Sequence, residues 1–248
     1  MKGIQRALSV LFLVWCLGVF IVAMLLVMPF IFIVSALFKD KRGSESIFYF
    51  LKIWGWIFCI MCAYRVRTIN KSAIDPNKVY IYVCNHNSYL DAIAVVLAIP
   101  GSFKPLGKIE MVKIPVFGLI YRKVAVLIDR ASKESRARSV EELKADLAKG
   151  QSILVFPEGS MNQSNKTLTD FYDGAFRLAI ETNTPIAPMV IMNARNLFPR
   201  ANPSAARPGG ITCIFHEPFS VEGLAADDLE ALKIRVYKGM EVLIKRHS

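Results

Sequence analysis

The chain divides by its hydrophobic pattern into an apolar first quarter and a longer part of mixed polarity. No charged residue occurs over residues 8–38, and a second apolar stretch over residues 47–64 is interrupted only by Lys52. As a helix rising about 1.5 Å per residue, the first stretch is longer than a hydrocarbon core of about 30 Å. The pattern therefore predicts a membrane-associated helical hairpin over residues 1–64.

The sequence leaves the position of this hairpin in the membrane open. Pro29 permits a bend, so the first helix either spans the bilayer with a tilt or lies partly in the interface. A cleavable signal peptide is the alternative, because Val34-Ser35-Ala36 resembles a cleavage site, but signal cores run only about 7 to 15 apolar residues. Cations flank both ends of the hairpin, so the charges give no orientation and their symmetry favours insertion into one leaflet. These cations are Lys2, Arg6, Arg65 and Arg67 outside the hairpin and Lys39, Lys41 and Arg42 at its tip.

Beyond residue 65, short apolar runs alternate with amphipathic stretches. This alternation is typical of βαβ units, so we expect an α/β fold with a mostly parallel central sheet flanked by helices, in a single domain over residues 65–248. The predicted strands cover residues 79–84, 124–128, 152–156, 188–192 and 211–215. The predicted helices cover residues 91–98, 132–149, 173–183 and 224–246.

The formal charge of +11 at pH 7 belongs mainly to this second part, where nine Lys and Arg residues fall within residues 101–138. Such a surface favours anionic lipid headgroups or phosphorylated substrates. The alternative is a solvated face of mixed charge, since acidic residues interleave with the later cations. No zinc, helix-turn-helix or base-stacking motif accompanies the cations, so we expect no nucleic-acid partner.

The cysteines are odd in number and lie in apolar surroundings. We interpret them as small buried hydrophobes in a reducing compartment. Cys59 and Cys62 form a C-x-x-C, but it lies in a membrane-type segment and lacks a second ligand pair, so it indicates neither zinc nor redox chemistry. We therefore expect an inner or cytoplasmic membrane location, with residues 65–248 facing the cytoplasm. The five are Cys16, Cys59, Cys62, Cys84 and Cys213.

His86 and Asp91 are the first candidates for chemistry. They belong to an Asn-His-x-x-x-x-Asp block at residues 85–91, directly after a predicted strand. A histidine just past a buried strand end can lie at the mouth of a pocket, and a carboxylate about one turn further on can hold its ring nitrogen, which makes a base and its orienting partner. The alternative is structural, because Ser88 and Asp91 also fit a capping box at the start of a helix.

Further polar blocks occur where other predicted strands end, which is where open α/β sheets place ligands. The first is Ile128-Asp129-Arg130. The second is the Phe-Pro-Glu-Gly-Ser block at residues 156–160, in which proline stops the ladder and Gly159 permits an unusual backbone angle. Each block alone is also compatible with an ordinary exit from a strand.

Taken in order, the blocks resemble those of the lysophosphatidate acyltransferase family, the glycerolipid acyltransferases that esterify 1-acyl-glycerol-3-phosphate. The resemblance covers about the whole of residues 65–248. Residues 85–91, 128–130 and 156–160 resemble the family's first three motifs, and residues 185–190 resemble the fourth. Two further segments match: Lys108-Ile109-Glu110-Met111 with Pro115 and Gly118, and Gly174-Ala175-Phe176.

The resemblance implies a membrane-bound enzyme of phospholipid biosynthesis that transfers a fatty acyl group to the free hydroxyl of lysophosphatidate. The donor is a thioester, acyl-CoA or acyl carrier protein, and no cofactor or metal is implied. An attacking alcohol must lose its proton, so we expect His86 to act as base and Asp91 to hold its tautomer. No G-x-S-x-G is present and no cysteine has an evident partner base, so we expect no acyl-enzyme intermediate.

The family's second and third motifs bind the glycerol-phosphate acceptor, which implies acceptor contacts by Arg130, Glu158, Gly159 and Ser160. Lys108 and backbone amides are candidate donors to the thioester oxygen.

The chain departs from the family pattern at Met161, where an arginine is common, and at Asp173, where a lysine or arginine is expected. Either Arg177 or Lys166 compensates, or the acceptor is a non-phosphorylated lysolipid such as a lyso-ornithine or lyso-glycine lipid. Two other classes are a lipid hydrolase, which the missing serine elbow disfavours, and a catalytically silent membrane scaffold.

Overall fold

The computed structural model of the protein describes residues 2–38 and 41–247, with side chains from Ile4 onward. Lys39 at the predicted hairpin tip lies outside the described residues, as does the side chain of Lys2. The helices are α1 (Lys2–Leu37), α2 (Lys41–Met61), α3 (Asp91–Ala98), α4 (Phe117–Val124), α5 (Lys133–Ala148), α6 (Gly174–Thr182), α7 (Ala194–Leu197) and α8 (Leu229–His247). The strands are β1 (Tyr64–Ile69), β2 (Ile81–Cys84), β3 (Phe103–Lys108), β4 (Val126–Ile128), β5 (Ser152–Val155), β6 (Ile186–Met192) and β7 (Gly209–Phe215).

Helices α1 and α2 form the hairpin that the apolar pattern predicts. Helix α1 continues through Pro29. The indole Nε1 of Trp15 donates to the carbonyl oxygen of Met61 at 2.8 Å, and the rings of Phe20 and Trp54 pack edge to face with their centroids 5.1 Å apart. Both helices are long and apolar enough to cross a membrane. Most of the apolar surface of α1 is exposed.

Within the described residues, seven strands form one sheet in the order β1-β7-β6-β2-β5-β3-β4. All neighbouring pairs are parallel except β6 with β7, which confirms the mostly parallel α/β sheet. Each of the five predicted strands lies in this sheet, but β1 and β3 were not predicted. Strand β1 begins at Tyr64, which pairs with Gly209, so the sheet starts one residue inside the predicted hairpin.

The sheet has a hydrophobic core on each face. Tyr82 and Cys84 join a core that includes Trp54 and Phe58 of α2. Alternate residues of the same strand pack instead with α5, α6 and α8, because successive side chains of a strand point to opposite faces. The hairpin therefore completes one face of the fold.

Candidate active site

The polar blocks meet at the carboxyl edge of the sheet. Strand β2 lies between β5 and β6, and all three run parallel. Parallel strands end at the same edge, so the loops that follow them come together. His86 follows β2, Glu158 follows β5, and Arg195 follows β6.

His86 and Asp91 contact each other directly. Nδ1 of His86 lies 2.9 Å from Oδ2 of Asp91, and the carboxylate is fully buried while the imidazole is 20% exposed. Because a carboxylate oxygen accepts, the ring hydrogen lies on Nδ1 and the lone pair on Nε2. No hydrogen bond within residues 2–38 and 41–247 involves Nε2. The ring therefore has a fixed tautomer and a nitrogen available for a proton.

Asp91 is also the acidic residue that begins α3. Its Oδ2 accepts the backbone N–H groups of Asn87 at 2.7 Å and Ser88 at 2.8 Å. The spacing of Ser88 and Asp91 allows a capping box, but the N-cap of α3 is Leu90, which has no side-chain capping bond, and Oγ of Ser88 accepts instead from the N–H of Leu90 at 3.2 Å. One carboxylate oxygen thus holds both the turn before α3 and the imidazole. Three donors on a single ionised oxygen also hold its position firmly.

Phe156 fixes the plane of the imidazole. Its ring stacks on that of His86, with the centroids 4.2 Å apart and the planes 20° from parallel. In the sequence, Phe156 stands out only as the first residue of the third block. The signal for its role is an aromatic residue at the end of the strand beside the one that precedes His86.

The backbone of His86 is held from both sides. Its N–H donates to Oε1 of Glu158 at 2.8 Å, and its carbonyl oxygen accepts from the N–H of Asn162 at 2.6 Å. Asn85 adds a third attachment, since its side chain makes reciprocal hydrogen bonds with the backbone of Ile191 at 3.0 Å and 2.6 Å. The loops after β2 and β5 and the end of strand β6 are therefore hydrogen-bonded into one unit.

Glu158, which the resemblance assigns to the acceptor, is engaged inside the protein. Its side chain is buried, and Oε2 accepts both the N–H and the hydroxyl of Thr169 at 2.8 Å each. With Oε1 on His86, both carboxylate oxygens have partners inside the protein. Glu158 thus joins the backbone of His86 to Thr169, a partner that no pattern in the sequence indicates, because it lies eleven residues away in an irregular loop.

Arg130, Gly159 and Ser160 come together on the accessible side. Nη1 of Arg130 donates to the carbonyl oxygen of Gly159, and Ser160 beside it is exposed. Gly159 has a φ of +72°, and a Cβ at this position would lie 2.6 Å from the ring of Tyr172. Only glycine fits such a turn. These three residues can contact a ligand that lies over the third block.

Two buried thiols lie behind the site. Burial raises the pKa of Cys84 and of Cys213, the latter to about 12, and the charge of Asp91 raises both further. Thiols that stay protonated are poor nucleophiles. Neither cysteine is equipped to accept an acyl group.

The family model described as Acyltransferase matches residues 65–192, which is just over half of the chain. The chain belongs to the Acyltransferase family. It is 32% identical over 166 residues to the 1-acyl-sn-glycerol-3-phosphate acyltransferase of Cocos nucifera, an alignment that covers 64% of this chain and 50% of the relative. It is 28% identical over 186 residues to the alpha form of Mus musculus, covering 74% and 65% respectively. The chain thus spans half to about two thirds of the length of these relatives.

A solved structure shows the same fold. It is the 1-acyl-sn-glycerophosphate (LPA) acyltransferase PlsC from Thermotoga maritima, with a TM-score of 0.79, 20% identity, and coverage of 99% of this chain and 98% of that one. The match includes the helical hairpin as well as the sheet, since it extends over nearly the whole chain. At this level of identity the likeness concerns the fold alone.

Lys108, from the lysine–glutamate segment of this Acyltransferase chain, is not joined to the His86 block. Its Nζ pairs with Oε1 of Glu110 at 2.9 Å, and this pairing lowers the pKa of Glu110. Strand β5 separates β3, which Lys108 ends, from β2. Within the described part of the chain, no hydrogen bond or ion pair connects Lys108 with His86.

The two departures from the family pattern have different surroundings. Asp173 is neutralised by Lys233 of α8, with Nζ 2.8 Å from Oδ1. Met161 precedes Asn162, and in the same loop the carbonyl oxygen of Ser164 accepts from Nη1 of Arg195 at 2.8 Å. Arg195 therefore brings a guanidinium group to the loop that lacks the common arginine. No motif in the sequence indicates Arg195, because it follows β6 rather than the third block.

Proposed function

We propose that the protein is a membrane-bound O-acyltransferase that converts lysophosphatidate to phosphatidate, with acyl-CoA or acyl carrier protein as donor. The observation that carries the proposal is the His86–Asp91 pair, in which Nδ1 is held at 2.9 Å and Nε2 is left to accept a proton. Family membership supports acyl transfer, and the names of the relatives support the phosphorylated acceptor.

Nε2 of His86 removes the proton of the lysolipid hydroxyl as its oxygen attacks the carbonyl carbon of the thioester. The new C–O bond forms, and the tetrahedral intermediate then breaks its C–S bond. The sulfur leaves with the electron pair and takes the proton back from the imidazolium, so the carrier departs as a free thiol. Asp91 stabilises the imidazolium between these two proton transfers.

Direct transfer between two bound substrates fits the surroundings of His86. The nearby thiols of Cys84 and Cys213 are buried and stay protonated, so neither provides a covalent intermediate. Both substrates must then be bound together, and the imidazole must lie between the hydroxyl and the thioester.

Guanidinium groups on both sides of the third block suit a phosphate on the acceptor. Arg130 lies on Gly159, and Arg195 lies on the loop that continues from Met161. Each also has further N–H groups in a planar fork that matches two phosphate oxygens. Arg195 thereby supplies the charge that Met161 lacks, which favours lysophosphatidate over a lyso-ornithine or lyso-glycine lipid.

We infer that the hairpin lies in one leaflet. Helix α1 lies beside the rest of the chain near its start, at its middle and near its end. Near its start it lines an open pocket of about 420 Å³ together with Asn202 and Ser204. Phe20 contacts Phe117 at its middle, and Phe32 near its end lies 5.9 Å from Nζ of Lys123. An upright α1 would carry Lys123 into hydrocarbon, at a cost of about 2.5 kcal/mol or more. A helix that lies in the plane of the membrane leaves Lys123 at the level of the headgroups. Residues 65–247 then lie on the cytoplasmic side, where acyl-CoA and acyl carrier protein are both available.

An acceptor assay tests the proposed reaction. The purified full chain is given a labelled acyl thioester with either lysophosphatidate or a lyso-ornithine lipid. We expect labelled phosphatidate from the first acceptor and at least a hundredfold loss of turnover in His86→Ala, since general-base catalysis contributes about 10²–10⁴-fold.

His216→Ala is the matched control, because His216 makes its hydrogen bond to the backbone of Glu217 away from the His86 block and we expect its loss to leave turnover intact. Turnover of only the aminolipid would contradict the phosphorylated acceptor. Full turnover in His86→Ala would contradict the mechanism, and cleavage of the thioester by water alone would indicate a hydrolase.

A further inference from the structure

Residues 108–123, from the end of β3 through most of α4, form a surface that the catalytic proposal does not use. Three large aliphatic side chains are exposed on it: Ile109 at 38%, Ile114 at 42% and Leu119 at 50%. Four cations lie among them, namely Lys108, Lys113, Arg122 and Lys123. We call residues 108–123 the basic–apolar segment.

The backbone of this segment is tightly fixed. Val116 has φ +64° and ψ −59°, and its neighbours close a turn in which the N–H of Phe117 donates to the carbonyl oxygen of Pro115 at 2.7 Å. A positive φ is costly for a β-branched residue, and such strain persists only where the surroundings enforce it. A Cβ at Gly118 would lie 2.0 Å from the carbonyl oxygen of Val112, so the short 3-10 helix Ile109–Lys113 before the turn is in close contact with α4.

This turn determines which side of α4 faces outward. Gly118 and Ile120 are buried, and Ile120 belongs to the same core as the hairpin. Leu119 and Arg122 are consequently presented to the exterior on the hairpin side of the sheet. No ion pair within residues 2–38 and 41–247 involves Arg122, so its charge is available to a partner.

The basic–apolar segment is continuous with the exposed surface of α1. The rings of Phe20 and Phe117 are 6.1 Å apart, and Nζ of Lys123 lies over the ring of Phe32. Around these contacts α1 exposes a stretch of bulky aliphatic and aromatic side chains. They are Ile21, Val22, Leu25, Leu26, Phe30, Phe32 and Ile33.

We propose that the basic–apolar segment is a second membrane contact, which inserts Ile109, Ile114 and Leu119 into the interface of an anionic bilayer. This inference rests on the one-leaflet position of the hairpin given under the proposed function. Aliphatic side chains interleaved with exposed cations match a surface of hydrocarbon and phosphate, as in amphipathic interfacial helices. Continuity with the apolar face of α1 commits this surface to the bilayer, because a soluble acidic partner would have to share it with lipid.

The contact also brings the substrate side of the sheet to the lipid. Lys108 ends β3, and Arg130 follows β4, the next strand of the sheet. A bilayer that meets residues 108–123 therefore lies beside the guanidinium of Arg130. A lysolipid can then present its headgroup there while its acyl chain stays in the leaflet.

Two nitroxide labels test this contact in the full chain. Leu119→Cys and Val242→Cys carry the label one at a time; Val242 is the matched site, because it is exposed to 51% on α8, which packs on the opposite face of the sheet. The native cysteines are buried, and the unsubstituted chain is the blank. On vesicles of phosphatidylcholine with phosphatidylglycerol, we expect oxygen to relax the label at 119 more than a water-soluble nickel chelate does, and the reverse at 242.

Equal access of the nickel chelate to both labels overturns the proposal. So does a label at 119 that is covered by acyl carrier protein in solution but faces water on vesicles. The label at 119 is also measured in a chain that carries His86→Ala, where we expect the same depth in the membrane as without that substitution. A failure of the proposed reaction is thereby distinguished from a failure of the membrane contact.

A charge series provides a second measurement. The double variant K113Q and R122Q removes two cations from the segment. Each cation near an anionic membrane surface contributes about 1 kcal/mol of binding free energy, so we expect binding to the anionic vesicles to weaken about fivefold per charge at low salt. The control is K238Q with R246Q, two exposed cations of α8. The difference should disappear at high salt. If K113Q with R122Q and K238Q with R246Q lose the same amount of vesicle affinity, the membrane contact of the basic–apolar segment is refuted.

Discussion

At the scale of single residues, the site depends on one oxygen atom. Oδ2 of Asp91 accepts from Nδ1 of His86 and from two backbone N–H groups. The negative charge makes all three hydrogen bonds stronger than neutral ones. The same atom thus holds the backbone of residues 87 and 88 just before α3 and orients the imidazole. The charge of Asp91 and its geometry therefore have separate effects, which a substitution can distinguish.

Asp91→Asn tests this separation. The amide has the shape of the carboxylate but no charge, and it can present a donor to Nδ1, which would place the ring hydrogen on Nε2 and block proton removal. We expect kcat to fall by at least about a hundredfold with little change in the KM for acceptor. Steady-state kinetics at saturating thioester measures both quantities.

The control for this substitution is thermal unfolding followed by circular dichroism. If Asp91→Asn keeps kcat within a few-fold of the unsubstituted chain while it lowers the unfolding temperature, Asp91 stabilises the turn before α3 and is not a catalytic partner.

At the scale of elements, the sheet edge explains what the sequence could and could not predict. The blocks after β2, β4 and β5 could be placed at one edge because parallel strands end together. The orientation of Glu158 could not, because it depends on Thr169, whose position is set by an irregular loop rather than by any periodicity. Arg195 was missed for the same reason, since its role arises from a loop that starts after another strand.

The missed strand β3 has a related cause. Its sequence includes Pro105 and Gly107, which usually exclude a central strand. In the structure, residues up to Pro105 pair with β5, and pairing with β4 begins only at Leu106. Pro105 therefore lies before the part of β3 that pairs with β4, so its missing N–H costs no hydrogen bond to that strand. A Cβ at Gly107 would meet the hydroxyl of Tyr121, so α4 requires the glycine.

Thr169→Val tests the connection between the loops after β2 and β5. The substitution keeps the shape and the backbone N–H but removes the hydroxyl that donates to Oε2 of Glu158 at 2.8 Å. A hydrogen bond to a charged group contributes about 1.5–3 kcal/mol, so we expect a loss of this size in the free energy of unfolding. Because Glu158 holds the backbone of His86, we also expect a lower kcat with an unchanged KM for acceptor. Urea unfolding and steady-state kinetics measure the two effects.

Thr167→Val is the matched control, because Thr167 has the same size, lies in the same loop and is exposed. A rise in the acceptor KM of Thr169→Val, without loss of kcat, would return Glu158 to the acceptor-binding role that the third motif implies.

At the scale of the whole molecule, the hairpin belongs to the core as well as to the membrane. Trp54 and Phe58 of α2 share one hydrophobic cluster with Tyr82 of the central strand. The apolar pattern alone predicted a separate anchor, because composition shows that a segment is apolar but not whether it packs on protein or on lipid. One side of α1 packs on the domain, and the other is exposed for the bilayer.

These two roles of the hairpin predict different results from two variants. Removal of residues 1–62, which leaves β1 intact, uncovers one face of the sheet, so we expect the truncated chain to aggregate in the absence of detergent. Leu25→Asp with Leu26→Asp changes only exposed positions of α1 and leaves the core in place. We expect this variant to stay folded and monomeric but to bind vesicles at least tenfold more weakly, since a charged residue in the apolar region costs about 2.5 kcal/mol or more. Sedimentation and vesicle binding separate the outcomes: a monomeric truncated chain that unfolds cooperatively would show that the hairpin is an anchor alone.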